Sequence, residues 1–116
     1  MMSGSLKKIP AVFYQSASGA EPVREWLKSL PEKDRRVVGG DIATAEYGWP
    51  VGMPLCRALG SGLWEIRSSL PNRREERVIF CIVKGMMVLL HSFIKKTQKT
   101  PKEDLDLAKK RKKEIE

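Results

Sequence analysis

Two apolar runs with two residues between them constrain this chain most. RVIFCIV (residues 77–83) and MMVLLHSF (residues 86–93) flank Lys84 and Gly85. Runs rich in β-branched and aromatic residues, joined by a two-residue loop, predict a β-hairpin. With Lys84 and Gly85 as the turn, Val83 faces Met86, Val78 faces His91 and Arg77 faces Ser92. Both faces are apolar in the middle, so the hairpin belongs at the centre of a sheet covered on both sides. Its polar residues, Arg77, His91 and Ser92, collect at one end, beside the segment holding Lys95 and Lys96. LWEIRSS (residues 63–69) predicts the preceding strand, with Trp64 and Ile66 on one face and Leu63, Glu65 and Arg67 on the other. Paired antiparallel with the hairpin, it brings Arg67 to the same end.

The first half predicts one strand and two helices. IPAVFYQ (residues 9–15) suits a strand, and Pro10 confines it to an edge or to its own first residues. Glu21 and Pro22 open a helix whose stripe is Val23, Trp26, Leu27 and Leu30, and Pro31 ends it. A second helix follows over EKDRRVVGGDIATAEYG (residues 32–48), with Gly48 as its stop. Gly39 and Gly40 weaken that helix and predict close packing or a kink. Residues 49–62, rich in glycine and proline, read as a long connection. At the C-terminus Thr100 reads as an N-cap, Pro101 as the first helical residue and Glu103 as the partner in a capping box. Asp104 and Asp106 early in this helix, and Lys109 to Lys113 late, suit its dipole. The sum is one α+β domain over residues 1–116, with residues 1–6 flexible.

Composition narrows the partners. The net charge of +8 in a chain of 116 residues favours nucleic acid, the ribosome, anionic lipid or an acidic protein. Two cysteines and one histidine are too few for a zinc site built on cysteine and histidine. Cys81 reads as a core residue, nothing asks for a disulfide, and a reducing cytoplasm is expected. There is no apolar run of about eighteen residues to span a membrane. The N-terminus MMSGSLKKIP lacks the apolar core of a secretion signal.

The converging cations are the chemical feature. Arg67, Arg77, His91, Lys95 and Lys96 approach one strand end, with Arg57 and Lys99 on adjoining loops. Arginine offers a bidentate fork to phosphate and lysine a point charge. Cleaving a phosphodiester needs a base for the attacking hydroxyl, cations for the phosphorane, and an acid for the leaving oxygen. Histidine as a residue type can serve as base or acid, which makes His91 a candidate, and crowding by like charges depresses a lysine toward the role of base. The plainer readings are a structural histidine, an Arg67 paired with Glu65 or Glu76, and a solvated lysine loop. Trp64 and Phe93 read as core residues rather than base-stacking platforms. The residues alone describe a basic nucleic-acid-binding α+β domain, with or without catalysis, or a module for an acidic protein.

LWEIR, RVIFCIV, the tight turn and LLHSFIKKTQKTPKEDLDLAKKR together resemble the RelE/HigB-like toxins of bacterial toxin–antitoxin systems, in their phage-derived HigB-type branch. The resemblance spans about residues 59–114. It implies a compact fold with an N-terminal helical hairpin and a curved antiparallel sheet. It also implies a ribosome-dependent endoribonuclease that cleaves translated mRNA by attack of the 2′-hydroxyl on the adjacent phosphate, without metal or cofactor. The implied partner is a helix-turn-helix antitoxin, through which alone the toxin meets operator DNA. Arg77 matches the phosphate-stabilising arginine of the central strand, and Arg67 a basic position on the strand before. Lys95 and Lys96 match basic positions after the last strand, and His91 the histidine of this branch. Catalysis is thereby expected from Arg77, His91, Lys95 and Lys96, and phosphate binding from Arg67, Arg57 and Lys99. Glu76 stands where the family often carries an aromatic residue, and the C-terminus lacks a tyrosine that some members use. The general base stays unassigned.

Overall fold

Strand pairing organises the chain, and the hairpin is its centre. The computed structural model describes residues 7–116; the expectation for residues 1–6 lies outside them. Strands β1 (Ala11–Phe13), β2 (Cys56–Gly60), β3 (Leu63–Leu70), β4 (Arg74–Val83) and β5 (Met86–Lys95) form one sheet in the order β1-β5-β4-β3-β2. Helices α1 (Pro22–Ser29) and α2 (Glu32–Gly48) cover one face, and α3 (Lys102–Ile115) packs on the other. The α+β fold class is therefore as expected.

The Lys84-Gly85 turn has positive φ at both residues, +51° and +76°, the primed geometry whose twist matches the flanking strands. Val83 pairs with Met86 as the sequence demands, and pairing continues to Phe80 and Leu89. There the register shifts by one residue, so Ile79 faces His91, Val78 faces Ser92 and Arg77 faces Phe93. The expected pairs Val78–His91 and Arg77–Ser92 are thus wrong by one position. A β-bulge at Leu90 is the reason, and the Leu90 carbonyl accepts a hydrogen bond from Arg111 of α3 at 2.7 Å.

Further expectations need correction. The sheet is mixed rather than antiparallel, because β1 runs parallel to β5. Pro10 needs no donor there, and its carbonyl accepts from the Met87 amide at 2.8 Å. The long connection holds the edge strand β2, whose burial pattern is too irregular to read as a strand. Its hairpin to β3 turns through Gly60, Ser61 and Gly62, all with positive φ. Thr100 does not cap α3, since its hydroxyl donates instead to Glu65 at 3.0 Å and Pro101 takes the cap position without a side-chain bond.

Gly39 and Gly40 were expected to mark a kink or close packing, yet α2 runs unbroken past both. A Cβ at either position meets nothing within 4 Å. Gly39→Ala and Gly40→Ala are each expected to stabilise the protein by about 0.5–1 kcal/mol, since alanine gives up less backbone entropy in a helix. A higher midpoint of urea unfolding for each variant checks this.

The core has two halves. Val38, Ile42, Ala45, Ile66, Val78, Phe80 and Leu89 are buried under α1 and α2. Trp49 sits edge-on to Trp64 and Phe80, with ring centroids 5.0 and 5.5 Å away, so Trp64 is a packing residue. Under α3 the buried set is smaller: Leu63, Ile79, Cys81, Leu90 and Ala108, with Tyr14 and Val88. Polar ties supplement it. His91 Nε2 lies 2.6 Å from Asp104 Oδ1, Tyr14 donates to Glu114, and the Arg111 guanidinium lies over the Tyr14 ring. His91→Ala is expected to loosen α3, at a cost of about 1–2 kcal/mol for the lost hydrogen bond to a carboxylate. Faster amide exchange confined to α3 is the signature.

Candidate functional site

Directly opposed residues of antiparallel strands share a face of the sheet. The register pairs Arg57 with Glu65, Arg67 with Arg77, Arg77 with Phe93, and Glu75 with Lys95. All of these therefore project to the α3 side. Phe93 packs in the core beneath α3. Beyond it the sheet is open, and a groove of about 430 Å³ is lined by Arg67, Glu75, Arg77, Lys95, Lys96, Thr97 and Gln98.

Two arginines directly opposite one another repel unless an anion intervenes. Glu65, buried beneath them, is that anion. Its Oε2 is 3.8 Å from Arg77 Nε and 4.0 Å from Arg67 Nε, and its Oε1 accepts from Thr100. One buried carboxylate thus joins both arginines to the residue that precedes α3. Arg77 Nη1 donates to the Glu76 carbonyl at 2.9 Å and to Glu75 Oε1 at 3.2 Å. Its side chain is only 2% exposed, against 43% for Glu75. Burial lowers the pKa of Lys95 below the usual lysine value, and the charges of Arg77 and Arg67 lower it further. Glu65 opposes that shift and Arg57 adds to it.

Of the residues expected to act together, Arg67, Arg77, Lys95 and Lys96 share the groove. Arg57 stands beside it on β2, opposite Glu65. Lys99 lies in the adjoining depression along the start of α3, which shares Lys96 with the groove. His91 does not line the groove. It is tied to Asp104, stacks on Phe93 at 5.7 Å, and borders a small separate cavity with Trp26 and Arg111. Glu65 and Glu75 were missed as parts of the site, although Glu65 alternates with Arg67 along β3. Among the described residues no cluster of three histidine, cysteine or carboxylate side chains could hold a metal ion.

Residues 25–113 match the family of phage-derived Gp49-like proteins (DUF891). The chain belongs to this Gp49-like family. The matched segment contains every residue lining the groove, together with Arg57, His91 and Lys99. No curated protein matches the chain.

Glu76, next to Arg77 in this Gp49-like protein, points to the opposite side of the sheet. It is fully buried, and neither carboxylate oxygen has a hydrogen-bond partner. Burial raises its pKa from 4.5 to about 8; Arg77 lowers it in part and Asp41 raises it. Between those two values the folded protein holds a proton that the unfolded chain has lost. The stabilisation is complete below pH 4.5, shrinks as the pH rises, and is gone above about pH 8. The slope is on the order of 1.4 kcal/mol per pH unit for one proton. Glu76→Gln is expected to remove this slope, so that the variant is more stable than the wild type at pH 8 by a few kcal/mol. Urea unfolding of both proteins from pH 5 to pH 9 tests the difference.

Proposed function

We propose that this protein is the toxin of a toxin–antitoxin pair, an endoribonuclease that cuts translated mRNA on the ribosome. The observation that carries the reading is the groove itself. Arg67, Arg77, Lys95 and Lys96 line one opening, and the ammonium of Lys95 is disfavoured there. Membership of the toxin-like Gp49-like family supports it. So does the net charge of +8, which suits an RNA-rich target. Ribosome dependence, a cytoplasmic setting and a helix-turn-helix antitoxin follow from the resemblance to RelE/HigB-like toxins.

In this reading the phosphodiester sits in the groove between Arg67 and Lys95. The neutral amine of Lys95 takes the proton of the 2′-hydroxyl as its oxygen attacks the adjacent phosphorus. Arg77 and Arg67 stabilise the charge that grows on the non-bridging oxygens. The bond to the 5′-oxygen breaks, and Lys96 donates a proton to that leaving oxygen. The products are a 2′,3′-cyclic phosphate and a 5′-hydroxyl. His91 stands outside this sequence and holds α3 through Asp104.

One observation favours a binding module without catalysis: Arg77 is covered by Glu75 and held by Glu65. Primer extension on a defined mRNA, with and without programmed ribosomes, separates the two. Cuts that appear only with ribosomes are expected. Folded protein that binds RNA with a steep salt dependence, yet cuts in neither condition, would establish the binding module instead.

A further inference from the structure

A second depression opens directly beside the cationic groove. It measures about 440 Å³ and is lined by Val37, Asp41, Pro54, Leu55, Arg67, Ser69 and Glu75. Arg67 and Glu75 line both openings, so the two adjoin across these side chains. We propose that this depression receives a nucleobase of the RNA whose phosphate lies in the groove, and that it selects guanine. The proposal rests on the RNA-cleaving reading and deepens it by naming the base.

The walls and the polar groups differ in kind from those of the groove. Val37, Pro54 and Leu55 offer apolar surface to a flat ring. Met53, on the same loop, is 59% exposed, and its sulfur accepts from Arg67 Nη1 at 3.0 Å. Sequence-specific recognition of RNA proceeds by splaying single bases into such pockets and reading their Watson–Crick edges. The group available to read that edge is the carboxylate of Asp41, fixed by the Ser68 hydroxyl, which donates to Oδ2 at 2.7 Å. A carboxylate only accepts hydrogen bonds. Guanine presents two donors side by side, N1–H and the N2 amino group, that match both oxygens. Adenine and cytosine each present one amino group beside a ring acceptor, and uracil one N–H between two carbonyl oxygens that repel a carboxylate. Glu75 on the rim adds to the same preference. Because Arg67 and Glu75 border both openings, the base and the phosphate assigned to them belong to one nucleotide in this proposal.

The test uses the full chain and two dinucleotides, GpG and UpU, with 2′-O-methyl groups that prevent cleavage. Each places a base on both sides of one phosphate. Isothermal titration is expected to show GpG bound about 5-fold or more tightly than UpU, the lower end of what a bidentate base contact gives. Asp41→Asn is expected to bring GpG down to the affinity of UpU. Ser69→Trp fills the depression from an exposed strand position and is expected to do the same, so the test survives if Asp41→Asn fails to fold. Lys96→Met is expected to weaken both ligands alike. Equal affinities in the wild type, both reduced by Lys96→Met, would overturn the base pocket and leave the phosphate groove standing. A guanine preference that survives both Asp41→Asn and Ser69→Trp would also overturn it. Absence of any binding would overturn the pocket and the groove reading together.

Discussion

Under the proposed RNA-cleaving function, Lys95→Met is expected to slow cleavage by about 10²–10⁴-fold, the usual contribution of a general base. Methionine keeps most of the side chain's length and apolar volume but cannot take a proton. Lys95 lies at the end of β5 opposite Glu75, half-buried, so the substitution leaves the core intact. The unfolding midpoint should therefore stay close to that of the wild type. Burial and the two arginines lower the Lys95 pKa, which raises the neutral fraction at physiological pH. The wild-type rate is accordingly expected to climb with pH until it passes that lowered pKa, and the residual rate of Lys95→Met to lack this limb. Single-turnover kinetics on programmed ribosomes, over a pH series, reads both effects.

Arg77→Ala is expected to unfold the protein more readily, by about 3–5 kcal/mol, the cost of breaking a buried ion pair from one side. The guanidinium lies between Glu65, the Glu75 carboxylate and the Glu76 carbonyl. Its removal leaves Glu65, 1% exposed, with Arg67, 4.0 Å away, as its remaining ion-pair partner. Glu76 on the other face loses the one charge that lowers its pKa. Loss of the proposed toxicity in this variant would therefore report loss of fold as well as loss of the proposed chemistry. Arg77→Lys retains the charge without the planar fork, and is expected to recover part of the stability while remaining defective in cleavage. Urea unfolding of the three proteins orders them as wild type, Arg77→Lys, Arg77→Ala; equal stability of all three would refute this account of Glu65.

The sequence made the fold class and much of the groove legible, for local reasons. The Lys84-Gly85 turn carries the pairing of Val83 with Met86, and the apolar stripes with their flanking prolines place α1 and α2. What stayed hidden depends on pairing across the chain. The bulge at Leu90 has no composition signal, yet it moves the partner of Arg77 from Ser92 to Phe93 and sets which residues share a face. Thr100 has the local pattern of a cap, but a buried carboxylate distant in sequence competes for its hydroxyl and wins. His91 ends the apolar part of its strand beside the other cations, while Asp104 of α3 draws it away from them. Alternation along β3 puts Glu65 and Arg67 on one side, but that Glu65 is the buried counter-ion of two arginines depends on the opposing strand.

The most direct test of the central claim, that the groove cations act on a phosphodiester, is the chemistry of the RNA ends left by the wild type, Lys95→Met and His91→Asn. The expected result is a 2′,3′-cyclic phosphate or its opened 3′-phosphate, with a 5′-hydroxyl, from the wild type and from His91→Asn, and almost no product from Lys95→Met. Cleavage that persists in folded Lys95→Met and disappears in folded His91→Asn would contradict the account and move the reaction to the histidine beside α3.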